Sequence, residues 1–314
     1  MHNNYQPLYT KEGVTNRFER DCKDRYTFLY NTFNKFKRPF TVLDIGANLS
    51  YFGRRILEDF PNATVISVEK DTSILTRGMA GYPLLGLNTK IDSDIIKKWS
   101  TYEMFDVVLC LSVLHHLPKP EAIKTTIALL QLGFEVYIEI PGKEDIVAGI
   151  RESNFAVHEL LENFNVPKAY FPSPTTRNVK RPTYMFTNFG KYVFAQWVNE
   201  CGGSPFDYGV TNKVIWRGYD KVPLFLHSSG IERDWLPGIN LHTLEHYNGY
   251  VSGEDMSSRL TKIKLDKPHG DIVSHNVIVS KDAVKLIDYG HRNNHDDKIA
   301  FEDLIKIGDK IKTV

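Results

Sequence analysis

Residues 39–50 read PFTVLDIGANLS, and this stretch decides the fold. Its first half is a near-continuous apolar run, the pattern of a strand buried on both faces. A glycine turn follows, and then LSYFGRRILEDF (49–60), whose apolar residues recur at helical spacing. Strand, turn and helix in that order open a β-α-β unit. The pattern repeats outward. ATVISVEK (63–70) is a second strand, FDVVLCLSVL (105–114) a third, EAIKTTIALLQLG (121–133) a helix and FEVYIEI (134–140) another strand. Helices are also predicted over 16–37 and around 147–164, and RPTYMFTN (181–188) reads as a closing strand. Short apolar strands alternating with helices predict an α/β fold with a doubly wound, mostly parallel sheet.

Composition narrows the class. The 314 residues are 42% hydrophobic and 25% charged, ordinary values for a globular chain of one large or two ordinary domains. A net charge of +1 gives no global field toward nucleic acid or an anionic membrane. No basic stripe with interleaved aromatics stands out, which disfavours RNA methylation. The three cysteines (Cys22, Cys110, Cys201) are scattered, as in a reducing compartment, and form no C-x-x-C pair. No apolar run reaches transmembrane length, and the polar start MHNNYQPLY does not resemble a signal peptide, so a cytoplasmic location is expected.

The turn after the first strand, Asp44-Ile45-Gly46-Ala47-Asn48-Leu49-Ser50, has the features of a cofactor site. Glycine there allows close approach of a ligand, and the helix start offers free N–H groups. Glu69, 23 residues after Gly46, ends the second strand in a carboxylate suited to a ribose diol. A dinucleotide would call for G-x-G-x-x-G, but Asn48 and Ser50 follow Gly46 in the alternate places. Asp44 would repel a phosphate and pair with an ammonium group, which favours S-adenosylmethionine. VLDIGANLSYF, VISVEKD and FDVVLCLSVLHHL together resemble three successive motifs of the class I S-adenosylmethionine-dependent methyltransferases, over residues 38–188. The resemblance implies that Asp44 and Gly46 line the methionine end, with Asn48 in the same turn. It puts Glu69 on the ribose and Asp92 or a neighbour in KIDSD near the adenine. Leu111-Ser112 and His115-His116 would then lie over the reactive methyl. The departure is at Asn48 and Ser50, where the family usually keeps glycine. Two readings of the histidines stand: a general base for an acceptor hydroxyl, or packing at the strand end.

From about residue 190 the texture changes. Glycines cluster and the β/α alternation stops, so a boundary is expected there, with a first domain over 1–190 and a smaller α+β domain over 191–314. Within it lies PHGDIVSHNVIVSKDAVKLIDYG (268–290). Asp271 and Asn276 stand five apart, as the base and the metal-binding Asn do in the kinase loop H-R-D-x-x-x-x-N. NVIVS and AVKLID flank a Lys-Asp turn and read as a hairpin that returns Asp288 toward the same magnesium. With Gly270 in place of arginine, and VPLFLHSSGIERDWLPGINL (222–241) upstream as a strand and hinge, residues 220–295 resemble the aminoglycoside and sugar phosphotransferases. That implies ATP and Mg2+ as ligands, Asp271 as the group that orients an acceptor hydroxyl, and Asn276 and Asp288 on the metal. Lys213 in TNKVIWRG is the best candidate for the phosphate-binding lysine. No Gly-rich loop or convincing Lys–Glu pair is found, and one further helix (FEDLIKIGDKI) is expected after the core, so the domain is predicted to be reduced. His269, His275, His291, His295 and Asp296 are also dense in metal-ligand types, the basis of a less favoured metallophosphoesterase reading.

A methyltransferase followed by a kinase-like core resembles, in architecture, the bifunctional chain-terminating enzymes of bacterial O-antigen synthesis. The expected function is methylation of a small polar, sugar or phosphate acceptor, possessed by a small molecule or a polysaccharide. The appended core either phosphorylates a sugar hydroxyl or serves as an inactive nucleotide-, glycan- or partner-binding module.

Overall fold

The computed structural model describes residues 5–14, 19–145, 151–174, 176, 178–187, 193–194, 213–226, 232–265, 269–287 and 297–314. A small hairpin, β1 (Tyr9–Thr10) and β2 (Gly13–Val14), precedes α1 (Lys23–Phe33). The alternating part then runs β3 (Phe40–Ile45), α2 (Tyr51–Asp59), β4 (Ala63–Val68), α3 (Thr72–Met79), β5 (Leu85–Leu87), α4 (Ser93–Tyr102) and β6 (Phe105–Leu111). It continues with α5 (Lys119–Leu129), β7 (Gly133–Glu139), α6 (Arg151–Glu162), β8 (Ala169–Pro172) and β9 (Lys180–Thr187). The predicted strands and helices of this region form where the apolar runs place them. The short β5 and the helices on either side of it, α3 and α4, were not among the predicted elements.

The C-terminal elements are β10 (Val193–Phe194), β11 (Lys213–Ile215), β12 (Leu224–Leu226), β13 (Glu232–Asp234), β14 (Ile239–Asn240), α7 (Leu241–His246), β15 (Gly249–Val251), α8 (Met256–Thr261), β16 (Val277–Val279), β17 (Val284–Leu286), α9 (Asp297–Gly308) and β18 (Lys312–Thr313). Among the described residues, the main sheet has nine strands in the order β18-β15-β5-β4-β3-β6-β7-β9-β8. β5, β4, β3, β6 and β7 run parallel; β9, β8 and β15 are antiparallel to their inner neighbours. The fold is therefore α/β with a mostly parallel, Rossmann-like sheet. Two antiparallel sheets, β10-β11-β12-β13 and β14-β16-β17, lie in the C-terminal part. The expected boundary near residue 190 falls outside the described residues.

Successive residues of each central strand feed two different cores. Leu43, Ile45, Val108 and Cys110 face one; Val42, Val107 and Leu109 face the other. Helices cover both faces, which is why the strands read as unbroken apolar runs. The C-terminal elements share these cores. Leu244, Val251, Leu260, Val279 and Leu304 pack with Leu87, Ile96 and Trp99, while Trp216, Trp235, Ile278 and Ile287 join the opposite side. With β15 and β18 in the main sheet, the two halves are built together. Chain order reverses at β3, which has β4 on one side and β6 on the other. The crevice outside the carboxyl ends of such strands is where open α/β sheets bind ligands.

Candidate active site

A cavity of about 610 Å³ opens at that crevice. Its lining includes Gly46 and Asn48 after β3, Glu69 and Lys70 after β4, Thr89 to Ile91 after β5, and Leu111, Ser112, His115 and His116 after β6. Tyr5 and Arg181 complete it from the N-terminal segment and β9. The sequence-predicted residues Gly46, Asn48, Glu69, Leu111, His115 and His116 thus meet at one place.

The turn explains how the glycine pattern is relaxed. Gly46 has φ +70°, and a Cβ there would collide with the Val113 side chain. Asn48 (φ 50°) and Ser50 (φ 52°) also occupy the left-handed region. The backbone shape associated with glycine is kept at both positions by residues that carry side chains. Asparagine tolerates this conformation well. Serine does so with more strain, and the buried Ser50 Oγ has no hydrogen-bond partner. Space for the turn comes from Gly78 on α3, where a Cβ would lie 2.8 Å from the Leu49 carbonyl carbon. The two strand-end acids are placed differently. Glu69 Oε2 accepts the Asn48 N–H at 3.1 Å, and its Oε1 accepts the Asp71 N–H at 3.1 Å. Asp44, also expected at the cofactor, does not line the cavity: it is 2% exposed, with Oδ2 unpartnered. Burial pushes its pKa up to about 7, opposed by Arg25 and reinforced by Glu69.

Asp92 does not line the cavity. Its carboxylate caps α4 by accepting the Ile95 N–H at 2.9 Å, and the neighbouring Lys90 and Ile91 supply the wall. His115 is buried, with Nδ1 lacking a hydrogen-bond partner, and its ring lies 4.0 Å from that of His116. Burial, then His116 and Arg181, depress its pKa to about 3, and burial with Lys70 and Arg181 lowers that of His116. Both rings are neutral at physiological pH. A group with so low a pKa takes a proton poorly, which works against His115 as general base.

The most charged part of the site lay outside the sequence expectations. Ser112 (φ 65°) follows β6 and donates its hydroxyl to Glu139 Oε1 at 2.5 Å. The same Oγ accepts from Arg20 Nη1 at 2.7 Å and from Arg181 Nη1 at 3.1 Å. Arg20 also pairs with Glu139 and donates to Tyr5 Oη at 2.8 Å. Arg181 Nε donates to Asp145 Oδ2 at 2.8 Å, and Arg25 stands 3.9 Å from Glu139. Burial opposes the Glu139 carboxylate, yet Arg20, Arg25 and the Ser112 hydroxyl more than offset it and hold its pKa below the ordinary range. Three buried guanidinium groups face the carboxylates of Glu139 and Asp145, so this corner carries an excess of positive charge when Asp44 is protonated. One sequence signal pointed here: glutamates inside the apolar run FEVYIEI, since a buried charge requires a partner.

The loop read from sequence as phosphotransferase-like lies within residues 269–276. Asn276 Nδ2 donates to Asp271 O at 3.0 Å and to Asp271 Oδ2 at 3.1 Å. His269 Nε2 bonds the Ile287 carbonyl at 2.9 Å, fastening the loop to the end of the β16–β17 hairpin. Asp297, at the start of α9, accepts the N–H groups of His269 (2.8 Å) and Gly270 (3.0 Å). Asp271 and Asn276 are therefore brought together. Asp288 lies outside the described residues, as do His291, His295 and Asp296. Lys213 lies on β11, in the separate four-stranded sheet. Among the described residues, no three His, Cys, Asp or Glu side chains are grouped to hold a metal ion, and no helix is long and apolar enough to cross a membrane.

No protein-family model matches the chain, and no curated protein matches it. Among solved structures it is similar to the bifunctional kinase-methyltransferase WbdD, at 16% identity and a TM-score of 0.49, over 98% of this chain and 85% of that one. It is also similar to magnesium protoporphyrin IX methyltransferase from Synechocystis PCC 6803 with bound S-adenosylmethionine (14% identity, TM-score 0.37, 52% of this chain and 76% of that one). The plantazolicin methyltransferase BpumL in complex with S-adenosylhomocysteine is a third (14%, TM-score 0.38, 52% and 82%). At these identities the similarity concerns the fold.

Proposed function

We propose that this chain transfers a methyl group from S-adenosylmethionine to a small polar acceptor of the sugar or phosphate class. The residues of the cavity fit the cofactor. Gly46 lines the cavity in a left-handed turn that has no room for a Cβ beside Val113, Glu69 stands at the end of the neighbouring strand for a ribose diol, and Asp44, buried next to the turn and outside the cavity lining, has an unpartnered Oδ2 that suits an ammonium group. When bound, the cofactor supplies an activated methyl on its sulfonium. The chain's own residues supply position, which accounts for much of the rate in such transfers.

The observation that carries the acceptor class is the convergence of Arg20 and Arg181 on Ser112 at the end of β6. Arg181 lines the cavity, and buried guanidinium groups suit an oxyanion. An acceptor that is already anionic needs no proton removed, in keeping with a neutral His115. Among the sugar and phosphate acceptors, these residues favour the phosphate-bearing ones. Calorimetry with S-adenosylmethionine tests the cofactor; absence of binding at millimolar cofactor would overturn the reading. Methyl transfer to phosphorylated and unphosphorylated sugars tests the acceptor, with equal rates counting against the arginine pair.

The Asp271–Asn276 pairing and the His269 anchor support phosphotransferase descent for the C-terminal core. Magnesium-dependent ATP turnover in wild type and Asp271→Ala separates a working kinase from a binding module. Equal background in both leaves the binding module.

A further inference from the structure

We propose that α7 links the cofactor cavity to the phosphotransferase-like loop, so that filling the cavity orders residues 269–276. The inference rests on the cofactor reading of the cavity. With six residues, α7 is too short to be a stable helix alone. It is helical because it is docked: Leu241 and Leu244 are buried, and Asn240 caps it by accepting the His242 N–H at 2.9 Å. Its helical form is thus tied to docking, and a released, unwound α7 is the alternative state that the proposed coupling draws on.

The surface on which α7 docks is continuous in the chain with the wall of the cavity. Thr89, Lys90 and Ile91 line the cavity and lead directly into α4. The segment from Asn88 to Glu103 is held by the α7 region at three points. At one end the Asn88 N–H donates to the Asn248 carbonyl at 3.3 Å. In the middle the rings of Trp99 and Tyr247 meet edge-on, 5.4 Å apart. At the other end the buried Glu103 Oε1 accepts the Asn240 N–H at 3.0 Å and the Thr243 hydroxyl at 2.5 Å. From α7, two contacts reach the loop. Asn240 Nδ2 donates to the His275 carbonyl at 2.6 Å, and the His242 and His275 rings stack 3.8 Å apart. His275 adjoins Asn276 in the same turn.

A ligand that fixes residues 89–91 reduces the freedom of α4 and favours docked α7. Docked α7 in turn holds His275, and with it Asp271 and Asn276. By linkage, a ligand that orders the loop tightens cofactor binding by the same factor.

Amide hydrogen exchange on the full chain, with and without S-adenosylhomocysteine, tests this, with binding measured separately by calorimetry. The expected result is a slowing of exchange over 269–276 by roughly fivefold or more on adding the ligand. Asn240→Ser keeps a helix-capping side chain but is too short to reach His275. In that variant the slowing over 269–276 should be clearly reduced, with only the His242–His275 stack left to carry it, while residues 89–91 remain protected. Thr243→Val, which removes one bond to Glu103 with little change of shape, is a milder second variant and should reduce the slowing. Ligand that binds and protects 89–91 in wild type without slowing 269–276 overturns the coupling, as does undiminished slowing in folded Asn240→Ser. Absence of binding in the calorimeter overturns the cofactor reading and the coupling with it.

Discussion

The Glu69 carboxylate at the end of β4 accepts the backbone N–H of Asn48 at 3.1 Å, tying two adjacent strand ends together at the mouth of the cavity. The same carboxylate faces the place assigned to the ribose. Glu69→Ala is expected to weaken S-adenosylhomocysteine binding by about tenfold or more, the scale of one or two hydrogen bonds to a charged group. Calorimetry gives the affinity, and a thermal melt separates this loss from unfolding.

Ser50 combines a left-handed backbone with a buried hydroxyl that has no hydrogen-bond partner. Replacing it by glycine removes both penalties, so Ser50→Gly is expected to stabilise the protein by roughly 1 kcal/mol. Gly46→Ala at φ +70° does the reverse and adds a collision with Val113; it should lower the melting temperature and abolish cofactor binding. Urea unfolding of both variants against wild type checks the pair of opposite signs.

Two buried groups are expected to tilt stability with pH in opposite directions. The Asp44 pKa is raised to about 7 in the fold, so between about pH 4 and pH 7 the folded state binds the extra proton. Asp44's contribution therefore falls as pH rises through that window. The His115 pKa is lowered to about 3, so the unfolded state binds the extra proton and stability falls as pH drops below about 6.5. Asp44→Asn should make stability rise more steeply with pH than in wild type, and His115→Gln less steeply. Chemical unfolding at several pH values between 4 and 7.5 measures both slopes.

Cofactor affinity carries its own pH dependence. An ammonium group beside Asp44 favours the carboxylate, so binding releases a proton below about pH 7. Affinity should rise with pH up to that point, by at most about tenfold per unit, and then level off. In Asp44→Asn the dependence should disappear, which calorimetry in buffers of different ionisation enthalpy reads directly.

Arg181 and Asp145 form a fully buried pair. Arg181→Met removes the cation paired with Asp145, leaving the Ser173 hydroxyl on its carboxylate, and is expected to cost about 3–5 kcal/mol. Adding Asp145→Asn should recover a large part of that loss, and a double-mutant cycle by urea unfolding measures it. Both variants should bind a phosphorylated acceptor less well than wild type.

The parallel strands were legible because each carries its signal locally. A strand covered on both faces must be apolar throughout, and a turn that approaches a ligand needs its special backbone. Hence β3, β4, β6 and β7, the turn at Gly46 and the acid at Glu69 could all be placed from sequence. The loss of glycine at positions 48 and 50 looked like a departure from the cofactor pattern. The backbone keeps both positions in the left-handed region that glycine favours. Among the missed elements, the helices α3 and α4 have eight and ten residues, and the missed strands are short. β15 and β18 have three and two residues, too few for any periodicity, and they exist because the edge at β5 offers unpaired backbone groups.

By itself, then, the sequence determined the alternating α/β order, the parallel centre of the sheet, the glycine turn after β3 and the spacing of Asp271 and Asn276. Each is a relation between residues close in the chain. Tertiary structure alone decided that Arg20, Arg25 and Arg181 meet Glu139 and Ser112, and that Glu103 holds Asn240 from 137 residues away. The physical reason is that charge pairing depends on distance in space. An isolated arginine has no periodic pattern, and its partner is set only when packing closes the sheet and its helices around it.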